Sequence, residues 1–199
     1  MTVVIGITGG IGSGKSTVCG LLSEEGALVL DADAASREVV EEPEVRAALV
    51  RRFGEAIFDG DGRLDRAALA DLVFGPDASD ARRDLEAIIH PAVRARIDGD
   101  LARARDEGRP LVVLDVPLLM RSPYREECDL LVFVRSARET RNRRTARRGW
   151  TPDELERRER AQTPLAEKER AADRVLDNDG DLAELRAAVR ELVRGLPRN

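Results

Sequence analysis

At 199 residues, 42% hydrophobic and 36% charged, the chain can bury one sizeable core but cannot hold two unrelated large domains. Its net charge of -5 and pI near 5.2 argue against polyanionic nucleic acid as a general partner, so local basic clusters point instead to small phosphorylated ligands. The apolar run Val3 to Ile7 is too short to span a bilayer and lacks a basic flank, which predicts no signal peptide, no membrane partner and a cytosolic location with Cys19 and Cys128 as reduced thiols.

Val3 to Thr8 reads as a strand, and Gly9-Gly-Ile-Gly-Ser-Gly-Lys-Ser-Thr17 follows it, matching G-x-x-x-x-G-K-[ST]. In this context glycines let the backbone turn its N–H groups inward at the positive end of the next helix, where they cradle phosphate. Gly12, Ser13, Gly14, Lys15, Ser16 and Thr17 are therefore assigned to a nucleotide, with Lys15 on the terminal phosphates and Ser16 on Mg2+. Composition supports this: among 33 basic residues only Lys15 and Lys168 are lysines, so a compact ammonium is kept where an arginine fork would crowd a triphosphate.

Gly26 is placed to end the first helix, and Leu28 to Leu30 reads as a second strand, completing a βαβ unit. Asp31 and Asp33 come next, at the carboxyl edge of the sheet where open α/β folds bind ligands. Alternation in an extended segment would point both to one side; Asp33 is expected to act as a base and Asp31 to cap a helix beginning near Ala34. From 33 to 109 helical patterns predominate: Val45, Leu49 and Phe53 after Pro43; Leu69, Leu72 and Val73 after a cap at Asp65; and Val93, Ile97, Leu101 and Ala104 in a helix that starts at Pro91 and ends at Gly108. Asp59-Gly-Asp-Gly-Arg is a polar turn, because Leu64 stands where a calcium loop needs glycine.

Strands are expected at Leu111 to Val116, Leu130 to Val134 and Arg174 to Leu176, their continuous apolar runs marking a parallel sheet covered on both faces. Ten arginines lie between Arg135 and Arg160, a segment that does not read as core, with Thr151-Pro-Asp-Glu as a helix start after a turn at Gly149. Arg144 and Arg148, four apart, would share a helical face toward phosphate. Trp150 is expected to anchor the hinge of this segment. Leu182, Leu185, Val189 and Leu192 form one face of a terminal helix.

Asn-Lys-x-Asp, the guanine-reading element of GTP switches, is absent, and Asp115 lacks the adjacent second acid typical of ATP-driven machines. A hydroxyl-phosphorylating kinase needs a donor loop, an acceptor carboxylate and cations for the transferring phosphoryl, and each has candidates here. A kinase of another nucleoside or nucleoside monophosphate, and a nucleotide-binding regulatory module without turnover, fit the loop as well.

Taken in order, Thr8 to Thr17, Asp31-Ala-Asp33 with Arg37-Glu-Val, Asp61-Gly-Arg-Leu-Asp-Arg66 with Leu69 and Phe74, Leu85 to Pro91, Asp115 to Leu119, Arg144 with Arg148, Gln162, and Ala172 to Asn178 resemble the dephospho-coenzyme A kinase family. The resemblance covers almost the whole chain. It implies an α/β P-loop kinase with a parallel five-stranded sheet flanked by helices, a helical substrate domain and a short lid. The corresponding boundaries are core at 1–32, 110–135 and 166–199, substrate insertion at 33–109 and arginine-rich lid at 136–165. It further implies ATP-dependent phosphorylation of the ribose 3′-hydroxyl of dephospho-CoA, with Asp33, Lys15, Arg144 and Arg148 catalytic. Thr8, Arg37, His90, Arg94 and Pro117 fall on the substrate side, Asn178 near the adenine or its loop, and Asp115 reaches Mg2+ through water. Where the family follows Pro-Leu-Leu with an aromatic residue and Glu, this chain has Met120 and Arg121, with Glu126 and Glu127 as the nearest acids.

Overall fold

The structure, a computed structural model, describes residues 1–73 and 78–197; Phe74 lies outside the described residues. In chain order the elements are β1 (Val3–Gly9), α1 (Lys15–Glu24), β2 (Leu28–Asp31), α2 (Ala32–Val39), α3 (Pro43–Phe53), α4 (Arg66–Val73), α5 (Ser79–Asp106), β3 (Leu111–Asp115), β4 (Leu130–Arg135), α6 (Arg138–Ala146), α7 (Pro152–Arg160), α8 (Leu165–Arg170), β5 (Arg174–Asp177) and α9 (Leu182–Arg194). Two compact units result, one of Met1–Asp31 with Leu101–Asn199 and one of Ala32–Asp100.

In the first unit all five strands are parallel, in the order β2-β3-β1-β4-β5. Central β1 is buried on both sides, as its continuous apolar sequence requires. Two carboxylates extend the ladder at strand starts: Asp129 Oδ2 accepts from Val4 N at 2.8 Å, and Asp173 Oδ2 accepts from Leu131 N at 2.7 Å. They pin the register where the strands would otherwise fray. Val18, Leu21 and Leu22 of α1 pack with Leu185, Val189 and Leu192 of α9 against Ile5, Ile7, Val113, Val132 and Val134. Each such side chain contributes roughly 1.5–3 kcal/mol when fully buried.

Helix ends follow local chemistry. Gly26, at φ 93°, closes α1 with Gly26 N donating to Ser23 O and Ala27 N to Leu22 O, both at 3.0 Å. Asp181 and Glu184 form a full capping box at α9. The expected apolar face of α9 is one residue too long: Leu182 is 55% exposed, because it sits in the first turn, beyond the edge of the sheet's core.

In the second unit Val40, Val45, Leu49, Ile57, Leu69 and Val73 form a separate core, with Phe53, Phe58, Leu85, Ile88 and Ile89 packed against it. Asp65 Oδ1 accepts from Ala67 N at 2.9 Å and Ala68 N at 3.0 Å, starting α4 as expected. Asp59 Oδ1 likewise accepts from Asp61 N and Arg63 N, so this acid closes a polar turn bridged by Phe58 and Leu64.

The expected helix start at Pro91 is corrected. α5 begins at Ser79 and runs 28 residues through Pro91, so His90 lies in mid-helix. Proline within a helix costs about 3 kcal/mol. Leu85, Ile88, Ile89 and Ala92, spaced at helical intervals on both sides of it, all pack on the core and offset that cost. Pro91→Ala should restore the missing N–H and stabilise the protein by about 1–2 kcal/mol, after allowing for the freer unfolded chain. Thermal melting checks this; a lower melting temperature would show that the packing requires the proline geometry.

Candidate nucleotide site

The loop between β1 and α1 is shaped from behind. Gly12 and Gly14 hold φ values of 76° and 92°, which side-chain-bearing residues rarely adopt, and Gly14 is the N-cap of α1. No side chain caps α1 and no acid occupies its first turn, so an anion is the natural complement of this helix end. A Cβ on Gly14 would collide with the Asn178 amide, and one on Gly12 would lie 3.1 Å from the Arg141 carbonyl and the Thr145 methyl.

Donors from elements distant in sequence grip three loop carbonyls. Ser13 O accepts from Asn178 Nδ2 at 2.7 Å, Arg144 Nη1 at 3.0 Å and Ser136 Oγ at 3.2 Å. Gly12 O accepts from Arg144 Nη1 at 3.3 Å, and Gly9 O accepts from Lys168 Nζ at 3.3 Å. In a planar trans peptide the C=O and the following N–H point in opposite directions. Holding the carbonyls of Gly9 and Ser13 therefore turns the N–H groups of Gly10 and Gly14 to the other side. Lys15 Nζ rests on Gly10 O at 3.3 Å.

Arg144 spreads its guanidinium over Ser136 Oγ, Asn178 O at 2.8 Å and Asn178 Oδ1 at 3.4 Å besides the two loop carbonyls. Its surroundings are acceptors, the polarity of a brace. Arg148 does not share its face, since α6 ends at Ala146 and Arg148 lies exposed in the following turn. Arg141 overturns the reading that no part of this segment is core: it is 5% exposed, donates to Ser136 O at 3.2 Å and pairs with Glu159 of α7. Leu155 of α7 is fully buried too. Arg158 covers the Trp150 ring at 4.1 Å, fastening the turn between α6 and α7.

Lys168, on α8, is 5% exposed and also donates to Gln162 Oε1 at 2.8 Å. Burial first, then the charges of Lys15 and Arg121, lower its pKa from 10.5 to about 8, against the pull of Glu159. Both lysines of the chain thus meet at one loop. The composition that singled out Lys15 pointed equally to Lys168, and the missing signal was topology, which brings α8 against β1.

Asp31 and Asp115 end β2 and β3 in direct register. Cys19 Sγ donates to Asp115 Oδ2 at 3.6 Å; burial, then Asp115 and Asp31, push the thiol well up, so it stays protonated. Ser16 is exposed in the first turn of α1, Thr8 is buried near the end of β1, and Pro117 is exposed just after β3. No cluster of three His, Cys, Asp or Glu that could hold a metal occurs among the described residues. One hydroxyl and one carboxylate suit Mg2+ that arrives with phosphate and water ligands. Glu127, a candidate substitute for the acid absent at 121, is instead paired with Arg105 at 2.9 Å.

In the second unit Asp33 and Arg37 are exposed one turn apart on α2. Asp33 lies in the helix itself, which begins at Ala32, so strand alternation with Asp31 does not apply to it. His90 and Arg94 are exposed one turn apart on α5, with Arg94 3.6 Å from Asp98. Arg96 Nη2 reaches Glu38 of α2 at 2.9 Å, tying α5 to α2.

A family model described as dephospho-CoA kinase matches residues 3–184. The dephospho-CoA kinase of Symbiobacterium thermophilum is 47% identical over 188 residues, covering 94% of this chain and 78% of that protein. The crystal structure of TT1252 from Thermus thermophilus has a TM-score of 0.77 and 41% identity, covering 99% of each chain. Dephospho-CoA kinase from Campylobacter jejuni shares the fold, with a TM-score of 0.71 at 20% identity over 98% of this chain and 96% of that one.

The brace geometry predicts that Arg144→Met weakens ATP binding by about 10- to 100-fold, since several charge-assisted hydrogen bonds to the loop are lost together. Arg144→Lys should recover little, because one ammonium cannot span acceptors on two sides of a fork. Calorimetric titration with ATP checks both. Unchanged affinity with a large loss of kcat would show that the guanidinium acts on the transferring phosphoryl instead.

Proposed function

The chain belongs to the dephospho-CoA kinase family, and from this premise we infer how its own residues carry the reaction. It phosphorylates dephospho-CoA with ATP, the 3′-hydroxyl of the ribose being the acceptor, and so completes coenzyme A. The observation that carries the reading of its site is the loop with its carbonyl oxygens held by Lys168, Arg144, Asn178 and Ser136. Such a loop offers preorganised N–H groups and a helix N-terminus to the β- and γ-phosphates.

Lys15 exchanges Gly10 O for phosphate oxygens when ATP enters. Ser16 and, through water, Asp115 would hold Mg2+, which supplies charge neutralisation on the phosphates. Asp33 accepts the 3′-hydroxyl proton as the oxygen attacks the γ-phosphorus. The bond to the β–γ bridging oxygen breaks, and ADP departs with that electron pair. Arg37, His90 and Arg94, exposed on α2 and α5, are assigned to the phosphates and pantetheine arm of the acceptor. Asn178 and Arg144 act through the loop. Among the described residues no helix is long and apolar enough to cross a membrane, and a cytosolic site of action fits the two free thiols.

Supplied with ATP and a panel of acceptors, the protein should phosphorylate dephospho-CoA far faster than any nucleoside or nucleoside monophosphate. Equal turnover of a nucleoside would overturn the acceptor assignment. Asp33→Asn should keep fold and ATP affinity while single-turnover transfer falls by roughly 10²-fold or more, the usual scale for a lost general base. An undiminished rate would place the base elsewhere. Lys15→Arg should lose most activity despite keeping its charge, because the fork places its donors differently from the ammonium.

A further inference from the structure

We propose that Lys168 is a positioning residue for the nucleotide. Its ammonium, held between Gln162 and the Gly9 carbonyl, fixes the first peptide of the phosphate loop and adds a second positive charge behind Lys15. The proposal rests on the reading of this loop as the ATP site.

Lys15 and Lys168 donate to the carbonyls of neighbouring residues, Gly10 and Gly9, each at 3.3 Å. By peptide planarity the grip on Gly9 O presents the Gly10 N–H on the opposite side. Lys168 also links the loop to the arginine-rich segment, because Gln162 lies between α7 and α8 and its side chain is the ammonium's second acceptor. Few residues are less suited to mere filling of this position. The charged groups facing Lys168 are Lys15 from α1, Arg121 from the turn after β3, and Glu159 from α7. Glu159 is already paired with Arg141 of α6. On α8 itself Glu169 is engaged with Arg135 of β4 at 2.9 Å, and Glu167 and Arg170 are exposed.

An ammonium kept where burial and two neighbouring cations oppose it is complementary to an anion that has yet to bind. Triphosphate binding then strengthens the protonated form. Lys168, with a pKa near 8 in the ligand-free protein, should take up a proton when ATP binds at pH 8–9. The sign in the ligand-free protein is the reverse. The unfolded chain holds this proton up to about pH 10.5, so folding stability attributable to Lys168 rises as pH increases from about 8.

The test is calorimetric titration of ATP with Mg2+, without acceptor, into wild type, Lys168→Met and Lys168→Arg between pH 7 and 9.5, in buffers of different ionisation enthalpy. Wild type should show proton uptake near pH 8.5 and an affinity that falls above pH 8. Lys168→Met should bind about tenfold more weakly at pH 7 and show neither effect. Lys168→Arg should bind with pH-independent affinity across this range and no uptake. Wild-type affinity and proton uptake in both variants would overturn the proposal. Should Lys168→Met fail to fold, as its melting curve would reveal, proton uptake persisting undiminished in Lys168→Arg overturns it alone. Because no acceptor is present, this outcome is independent of acceptor identity: normal ATP linkage with no phosphorylation of dephospho-CoA would count against the acceptor reading only.

Discussion

The site depends on the direction of three peptide planes. Gly9, Gly10, Gly12 and Gly14 would let the loop adopt many shapes, and fixing each backbone residue costs roughly 1–2 kcal/mol of conformational entropy. Two cations, an amide and a hydroxyl hold the carbonyls of Gly9, Gly12 and Ser13 from one side. The preorganisation of the loop is thus carried by side chains that hold its carbonyl oxygens.

This constraint explains why elements distant in sequence converge on nine residues of loop. α6 supplies Arg144, α8 supplies Lys168, the segment after β5 supplies Asn178, and the start of the arginine-rich segment supplies Ser136. Asn178 and Ser136 are themselves joined, the one Ser136 hydroxyl proton being shared between Asn178 O at 2.9 Å and Ser13 O at 3.2 Å. The chain's charge distribution follows the same division. Arg138 with Glu156 and Arg158 with Glu154 are exposed pairs, screened by solvent and of little weight in stability. Among the described residues the buried cations are Arg141 and Lys168, while Arg144 is half-buried; Lys168 and Arg144 donate to loop carbonyls and the Arg141 backbone backs Gly12.

Sequence alone revealed the elements governed by short-range rules: apolar runs for the five strands, the glycine loop, Gly26 at the end of α1, and the helix starts at Asp65 and Thr151. It misread elements decided by tertiary packing. Pro91 looked like a helix start because the local rule is strong, yet Leu85, Ile88 and Ile89 carry the helix through it. Leu182 matched the apolar period of α9 but falls beyond the core. Arg141 was hidden among ten arginines of one segment, since nothing in a charge run tells which member is buried against a partly covered acid such as Glu159. Asn178 was expected near the adenine or its loop, and its hold on Ser13 O went unread, as did Lys168, because their loop partners are 165 and 159 residues away. Spacing of four between Arg144 and Arg148 implied a shared face, but Gly149 ends the helix before the second arginine can take it.

The most direct test of this account is a crystal structure of the protein with Mg2+ and a non-hydrolysable ATP analogue. The account predicts that Ser13 O keeps Asn178, Arg144 and Ser136, that Gly9 O keeps Lys168, and that Lys15 alone leaves its carbonyl for the phosphates. An Arg144 guanidinium turned away from Ser13 O and onto the γ-phosphate, with the loop peptides rotated, would contradict it.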